Sequence, residues 1–264
     1  MPKVLTIAGS DSGGGAGIQA DLKTILVSHV YGMSAVTAIT AQNTLGISGI
    51  LEVTPDILQK QIDAVFEDLR PDAIKIGMTA SAKLISVIID RLRFYQAENI
   101  VLDTVLASTS GTALNHSQDA LKNLIRICDL ITPNIPETEI LSGMTIRSEQ
   151  DMERAILKLH KEFGCAVLCK GGHSETHAND VLYTPDAGMI WYRQERIVNS
   201  NTHGTGCTLS SAVACGLAKG LSLSESVADA KKLITKILTS DLDLGRGNGP
   251  LDHGFAMHQK KFEF

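Results

Sequence analysis

The stretch Asn201-Thr-His-Gly-Thr-Gly-Cys207 places two glycines and a thiol at the head of a run of small residues. Gly204 and Gly206 can expose backbone N–H groups. A helix opening at Cys207 would aim its unsatisfied donors and partial positive charge at an anion. The same field favours a thiolate, which makes Cys207 a candidate proton acceptor. A tight turn with a small buried cysteine accounts for the spacing equally well. A second glycine-rich stretch runs from Gly9 to Asp21, "GSDSGGGAGIQAD". It lacks the Gly-Lys-Ser/Thr of a P-loop, and Ile18 stands where Gly-x-Gly-x-x-Gly needs its third glycine, so neither standard nucleotide fingerprint applies. The loop can still wrap a small ligand. Asp21 and Gln42 are a carboxylate and an amide that together could read the polar edge of a nitrogen heterocycle; singly they read as a helix-start acid and a solvent-facing amide. Asp103, and Asn134 with Glu137 three residues on, offer oxygen ligands of the kind Mg²⁺ takes alongside water and substrate phosphates. The alternatives are a helix cap for Asn134 and solvated acids elsewhere. Lys170 ends a buried-looking strand and needs a partner, which a phosphate would supply.

These residues must be positioned by an alternation of apolar runs and 3.6-periodic stretches. Strands are predicted at 3–8, 34–40, 73–77, 99–103, 130–132 and 166–171. Helices are predicted at 16–29, 55–69, 81–96, about 205–219 and about 223–240. In the second of these helices, Pro55 marks the start, and Leu58, Ile62, Val65, Phe66 and Leu69 share one face. Continuous Val/Ile/Leu runs imply strands covered on both faces. The order predicts an α/β, mostly parallel, doubly wound sheet with ligands at the carboxyl ends of its strands. Residues 180–198 read as two or three short strands turning at Pro185–Gly188, an antiparallel edge hairpin. No linker or repeat divides residues 1–264, so a single domain is expected.

The 264 residues are 44% hydrophobic and 20% charged, with a net charge of −5. No basic stripe suggests nucleic-acid binding, and the tail "HQKKFEF" (258–264) reads as solvated. No run approaches the length of a membrane helix, and no secretory signal is visible, which gives the expectation of a cytoplasmic protein without a membrane partner. The cysteines number five and match no zinc spacing. Cys128, Cys165, Cys169 and Cys215 are expected to be buried, reduced thiols.

Taken in order, "TIAGSDSGGGAGIQADLKT", "TAQNT", "KIGM", "VLDTV", "ITPNIPE", "KGGH" and "NTHGTGCTLSSAVA" resemble the hydroxymethylpyrimidine/phosphomethylpyrimidine kinases of thiamin biosynthesis, within the ribokinase-like superfamily. The resemblance spans nearly the whole chain. It implies a three-layer α/β sandwich with helices on both faces of a central sheet. It also implies ATP-dependent phosphorylation of 4-amino-5-hydroxymethyl-2-methylpyrimidine and then of its monophosphate. Mg²⁺ is implied as cofactor, K⁺ is left open, and a homodimer is expected because relatives often form one, with the strands at 180–198 as an edge that could meet a second chain. By position, Asp21 and Gln42 would contact the aminopyrimidine, with Gly9, Ala16, Thr40, Met78 and Val105 around it. Gly204, Thr205, Gly206 and Cys207 would form the anion hole. Most sugar kinases of the superfamily have an aspartate base where Cys207 stands. Asp103 with Asn134 and Glu137 would hold Mg²⁺ through water, and Lys170 would contact phosphate. The chain departs from the pattern at Thr109, near the position where relatives often carry a lysine. The competing expectations are a pyridoxal/pyridoxine kinase, which tends to lack the Ala-Gln-Asn around Gln42, a dual activity on both substrates, and a non-catalytic pyrimidine-binding module.

Overall fold

The computed structural model describes residues 1–105, 118–172 and 177–256. Thr109, His173 of the "KGGH" motif and the tail at 258–264 lie outside the described residues. The chain runs β1 (Lys3–Asp11), α1 (Gly17–Val27), β2 (Tyr31–Asn43), β3 (Gly46–Glu52), α2 (Pro55–Leu69), β4 (Ala73–Ile76), α3 (Ala82–Phe94), β5 (Ile100–Leu102), α4 (Gln118–Ile125), β6 (Leu130–Ile131), α5 (Ile135–Ser142), α6 (Glu149–Phe163), β7 (Ala166–Cys169), β8 (Asp180–Thr184), β9 (Gly188–Tyr192), α7 (Thr205–Ala218) and α8 (Leu223–Leu238). One sheet has the order β3-β2-β1-β4-β5-β6-β7-β8-β9. Neighbours from β2 to β7 are parallel, and β3, β8 and β9 join antiparallel at the two ends.

The period of two along the strands divides the core. Leu5, Ile7, Ile74, Ile76, Ile100 and Leu102 face a layer built from α2, α3, α4 and α6. Val4, Ala73, Val101 and Leu168 face α7 and α8 on the other side. Thr54 caps α2 by accepting from the Ile57 N–H, and Pro55 occupies the first turn, as its missing N–H allows. Leu58, Ile62 and Phe66 of that helix are buried, each worth about 1.5–3 kcal/mol of transfer free energy. Leu69 departs from the expected face: it lies at the last turn and is exposed.

The second strand is longer than its apolar run and carries on through Gln42 to Asn43. β3, unrecognised in the sequence, pairs with that extension and makes a second antiparallel edge. Its sequence GISGILE is broken by glycine and presents no clean alternation. The 180–198 region holds two strands rather than three; beyond them a single bridge joins His177 and Glu195.

Candidate functional site

A cavity of about 740 Å³ opens along the carboxyl ends of the parallel strands, the place a doubly wound sheet leaves for a ligand. At its centre is the first turn of α7. Gly204 caps that helix with φ +88° and no side-chain hydrogen bond; the Thr205 N–H donates to the Thr202 carbonyl at 3.2 Å, and the next N–H groups, of Gly206 and Cys207, face the cavity's anion position. A Cβ on Gly204 would collide with the Gly15 carbonyl oxygen, so the two glycine loops touch here. A Cβ on Gly206 would come within 3.2 Å of Asp103 Oδ2 and 3.5 Å of Lys170 Nζ. The helix start therefore faces an ion pair.

In that pair Lys170 Nζ donates to Asp103 Oδ1 at 3.0 Å, and Thr132 adds a hydroxyl at 3.4 Å. Burial opposes the charge on Asp103, but Lys170 and Lys75 outweigh it and hold the carboxyl below its ordinary range. Burial likewise opposes the charge on Lys170, and Asp103 and Glu137 outweigh it, raising the ammonium above its usual value. Both groups are ionic at neutral pH.

Asn134 fills the alternative role the sequence left open, that of a helix cap, and also lines the cavity. It is the N-cap of α5: its side chain accepts from Glu137 N at 2.8 Å, and Glu137 Oε2 accepts from Asn134 N at 2.9 Å. This reciprocal capping box engages the asparagine oxygen in the helix. Glu137 also accepts from Thr104 Oγ1 at 3.3 Å and still lines the cavity, as does Asp103. No cluster of three or more His, Cys, Asp or Glu residues suited to a metal occurs among the described residues. Two separated carboxylates fit Mg²⁺ that keeps water and substrate phosphates as most of its ligands.

Gly9, Ala16, Thr40, Gln42, Met78 and Val105 also line the cavity. A Cβ on Gly9 would collide with Met78 Cε, so this wall needs glycine. Asp21 is absent from it. Its side chain is fully buried beneath the floor, where Oδ2 accepts from Thr6 Oγ1 at 2.6 Å and Lys75 Nζ at 2.8 Å, and Oδ1 from Ser211 Oγ at 2.8 Å. The expected contact between Asp21 and a heterocycle is thus replaced by an ion pair with Lys75. Lys75 does reach the cavity. Lys75 was legible in principle, because a lysine inside the buried strand Ala-Ile-Lys-Ile demands a partner. Asp11 and His203 also line the cavity unannounced. So do the apolar residues Ile197, Val198, Ile234 and Leu238, and Lys231.

Cys207 lies where the sequence put it, with the Gly17 N–H bonded to its sulfur. Its thiol is not activated. Burial pushes it up to about 11; Lys75 pulls it down, while Asp21 and Asp103 push it further up. The other four cysteines are buried free thiols.

Residues 11–252 match the family model described as phosphomethylpyrimidine kinase. The chain is 45% identical over 256 residues, 96% of its length, to the thiamine biosynthesis bifunctional protein ThiED of Geobacter sulfurreducens, and spans 52% of that longer protein. It is 43% identical to the hydroxymethylpyrimidine/phosphomethylpyrimidine kinase of Bacillus subtilis, covering 95% of this chain and 94% of the relative. Among solved structures it is similar to an ADP complex of Bacillus subtilis pyridoxal kinase, with a TM-score of 0.88 at 34% identity, covering 98% of this chain and all (100%) of that one.

Proposed function

The chain belongs to the phosphomethylpyrimidine kinase family, and we propose that its cavity takes 4-amino-5-hydroxymethyl-2-methylpyrimidine beside ATP. The γ-phosphoryl group passes to the alcohol and, in a second turnover, to the monophosphate. The observation that carries this is the position of the α7 first turn. It sits against Lys170–Asp103, in a cavity that Gln42 and a set of apolar residues also line.

Phosphoryl transfer passes through a loose transition state and asks for positioning and charge stabilisation more than for a strong base. The N–H groups of Gly206 and Cys207 and the Lys170 ammonium neutralise the charge spread over the transferring group. Asp103 holds Lys170 at that point. Gln42, with Thr40 behind it, meets the aminopyrimidine edge; Met78 and Val105 bound the ring. The apolar lining at Ile197, Ile234 and Leu238 accepts the adenine. Asp103 and Glu137 would hold Mg²⁺ through water, where it would supply positive charge against the phosphates. A thiol held at about 11 stays protonated at neutral pH and carries no charge to take a proton with, so Cys207 orients the acceptor hydroxyl by hydrogen bonding. In the second turnover the acceptor is an anionic phosphate and needs no base.

The protein acts as a homodimer in the cytoplasm. Ile39 and Leu51 pair across β2–β3 and are 54% and 68% exposed. In the β8–β9 hairpin, by contrast, Trp191 and Tyr192 are hydrogen-bonded to Glu153 and to the Ser224 carbonyl. The exposed apolar edge is therefore β2–β3 rather than residues 180–198. Free cysteines without a disulfide suit a reducing compartment.

Incubation with Mg·ATP and the pyrimidine alcohol, followed by mass, tests the reading: mono- and then diphosphate should form. Pyridoxal runs in parallel, because a backbone this close to a pyridoxal kinase does not choose between the two rings. Phosphorylation of pyridoxal alone would overturn the assignment.

A further inference from the structure

One imidazole nitrogen in the cavity has two polar neighbours with incompatible demands. His203 Nε2 lies 3.1 Å from Asp11 Oδ2 and 3.3 Å from the Gln42 amide nitrogen. The other end of that amide is 3.1 Å from Thr40 Oγ1. Asp11 is an acceptor. Its carboxylate takes the backbone N–H groups of Gly13 at 2.8 Å, Gly15 at 3.1 Å and Ala16 at 2.8 Å. Burial opposes its charge, but His203 and these donors outweigh it and keep the carboxyl below its usual range. An ionised carboxylate accepts only, so His203 Nε2 must carry the proton. A protonated Nε2 cannot also accept from an amide nitrogen.

One arrangement satisfies every group. Thr40 donates its single proton to the Ser10 carbonyl at 2.7 Å, its shorter contact, which leaves its oxygen free to accept. With the Gln42 amide rotated end for end, Nε2 donates to Thr40 and Oε1 accepts from His203 Nε2–H. The heavy-atom positions are unchanged by this rotation. We propose that His203 is a positioning residue that fixes which way the Gln42 amide faces, and thereby which way round the pyrimidine binds. This rests on the kinase reading above.

The consequence for the substrate is geometric. An aminopyrimidine presents an amino donor next to a ring-nitrogen acceptor, and its hydroxymethyl group lies beyond the amino group. The amide oxygen takes the amino donor, so the hydroxymethyl group lies on the oxygen's side. That side faces His203, and the residue after His203 is Gly204, where the anion hole begins. The opposite amide would seat the same ring turned over, with its alcohol pointing away from the phosphoryl group. His203 is itself held: its N–H donates to the Gly249 carbonyl at 3.1 Å, and its ring packs on Gly15, where a Cβ would collide with Cδ2.

A wrong pose and a lost contact leave different kinetic signatures. In enzyme carrying ¹⁵N-labelled histidine, the imidazole missing from the His203→Gln spectrum should show a protonated Nε2; an unprotonated Nε2 overturns the proposal. His203→Ala should lower kcat for the pyrimidine alcohol about tenfold or more, while the pyrimidine Kd measured without ATP and the ATP KM change by less than about threefold. Gln42→Ala should instead raise that Kd. His203→Gln retains an N–H donor toward Asp11 and Gln42 and should recover at least about a third of wild-type kcat. An unchanged kcat in His203→Ala, or no recovery in His203→Gln, counts against orientation. Should the wild-type enzyme form no phosphorylated pyrimidine at all, the kinase reading fails. Should it turn over normally while Nε2 is unprotonated, only the role of His203 fails.

Discussion

A thiol held near 11 in place of the carboxylate base of sugar kinases divides the two phosphorylations. Replacing Cys207 by Ala should slow transfer to the alcohol by about 10- to 100-fold, as loss of an orienting hydrogen bond predicts, and transfer to the monophosphate by less than about threefold. Single-turnover rates on the two acceptors check this; equal losses would mean that Cys207 serves the phosphoryl group and not the acceptor. Asp103 carries a pH prediction. Its folded carboxyl is depressed, so its contribution to stability is complete well above the unfolded value of about 3.9 and fades as the pH falls through the lower, folded one. Melting temperatures of Asp103→Asn should therefore fall less than wild type between about pH 5 and pH 2. A parallel decline in both proteins would exclude Asp103 as a source of acid lability.

At the scale of elements, helix starts do most of the positioning, and they separate what the sequence revealed from what it hid. The α7 turn was legible only in part: two glycines before a small-residue helix fit an anion site and a plain tight turn equally, and the family resemblance chose between them. The capping box of α5 was also written in the chain, as asparagine followed three residues later by glutamate, yet the same spacing reads as a pair of metal ligands. Only packing tells the two apart. Asn134→Ala should cost about 1 kcal/mol of stability and leave the KM for Mg·ATP within about twofold, whereas Glu137→Gln should raise it; thermal melts and Mg²⁺ titrations separate them. Asp21 was misplaced for a related reason. The helical pattern locates it on α1, but its direction is set by Lys75, which needs a buried counter-charge. β3 was missed because glycines interrupt its alternation, and its strand character comes from pairing with β2 rather than from propensity.

For the whole molecule, fold class was the easiest inference, since buried parallel strands announce themselves as unbroken apolar runs. The edges were harder, because an edge is defined by what does or does not lie beside it. The apolar face at Ile39 and Leu51 gives the assembly a test. Leu51→Glu should convert a dimer to a monomer in light scattering while leaving the circular dichroism spectrum unchanged; a wild-type monomer at micromolar concentration would dispose of the interface.

The contact of Gly15 with Gly204 joins residues 189 positions apart in the chain. No local segment can form it early, because closing so long a loop is entropically costly until the sheet exists to hold its ends. In refolding from denaturant, helical signal should therefore return first and phosphotransfer activity last, with a measurable lag between the two. A nascent chain would likewise remain inactive until its final third had been synthesised, however much of the sheet had already formed.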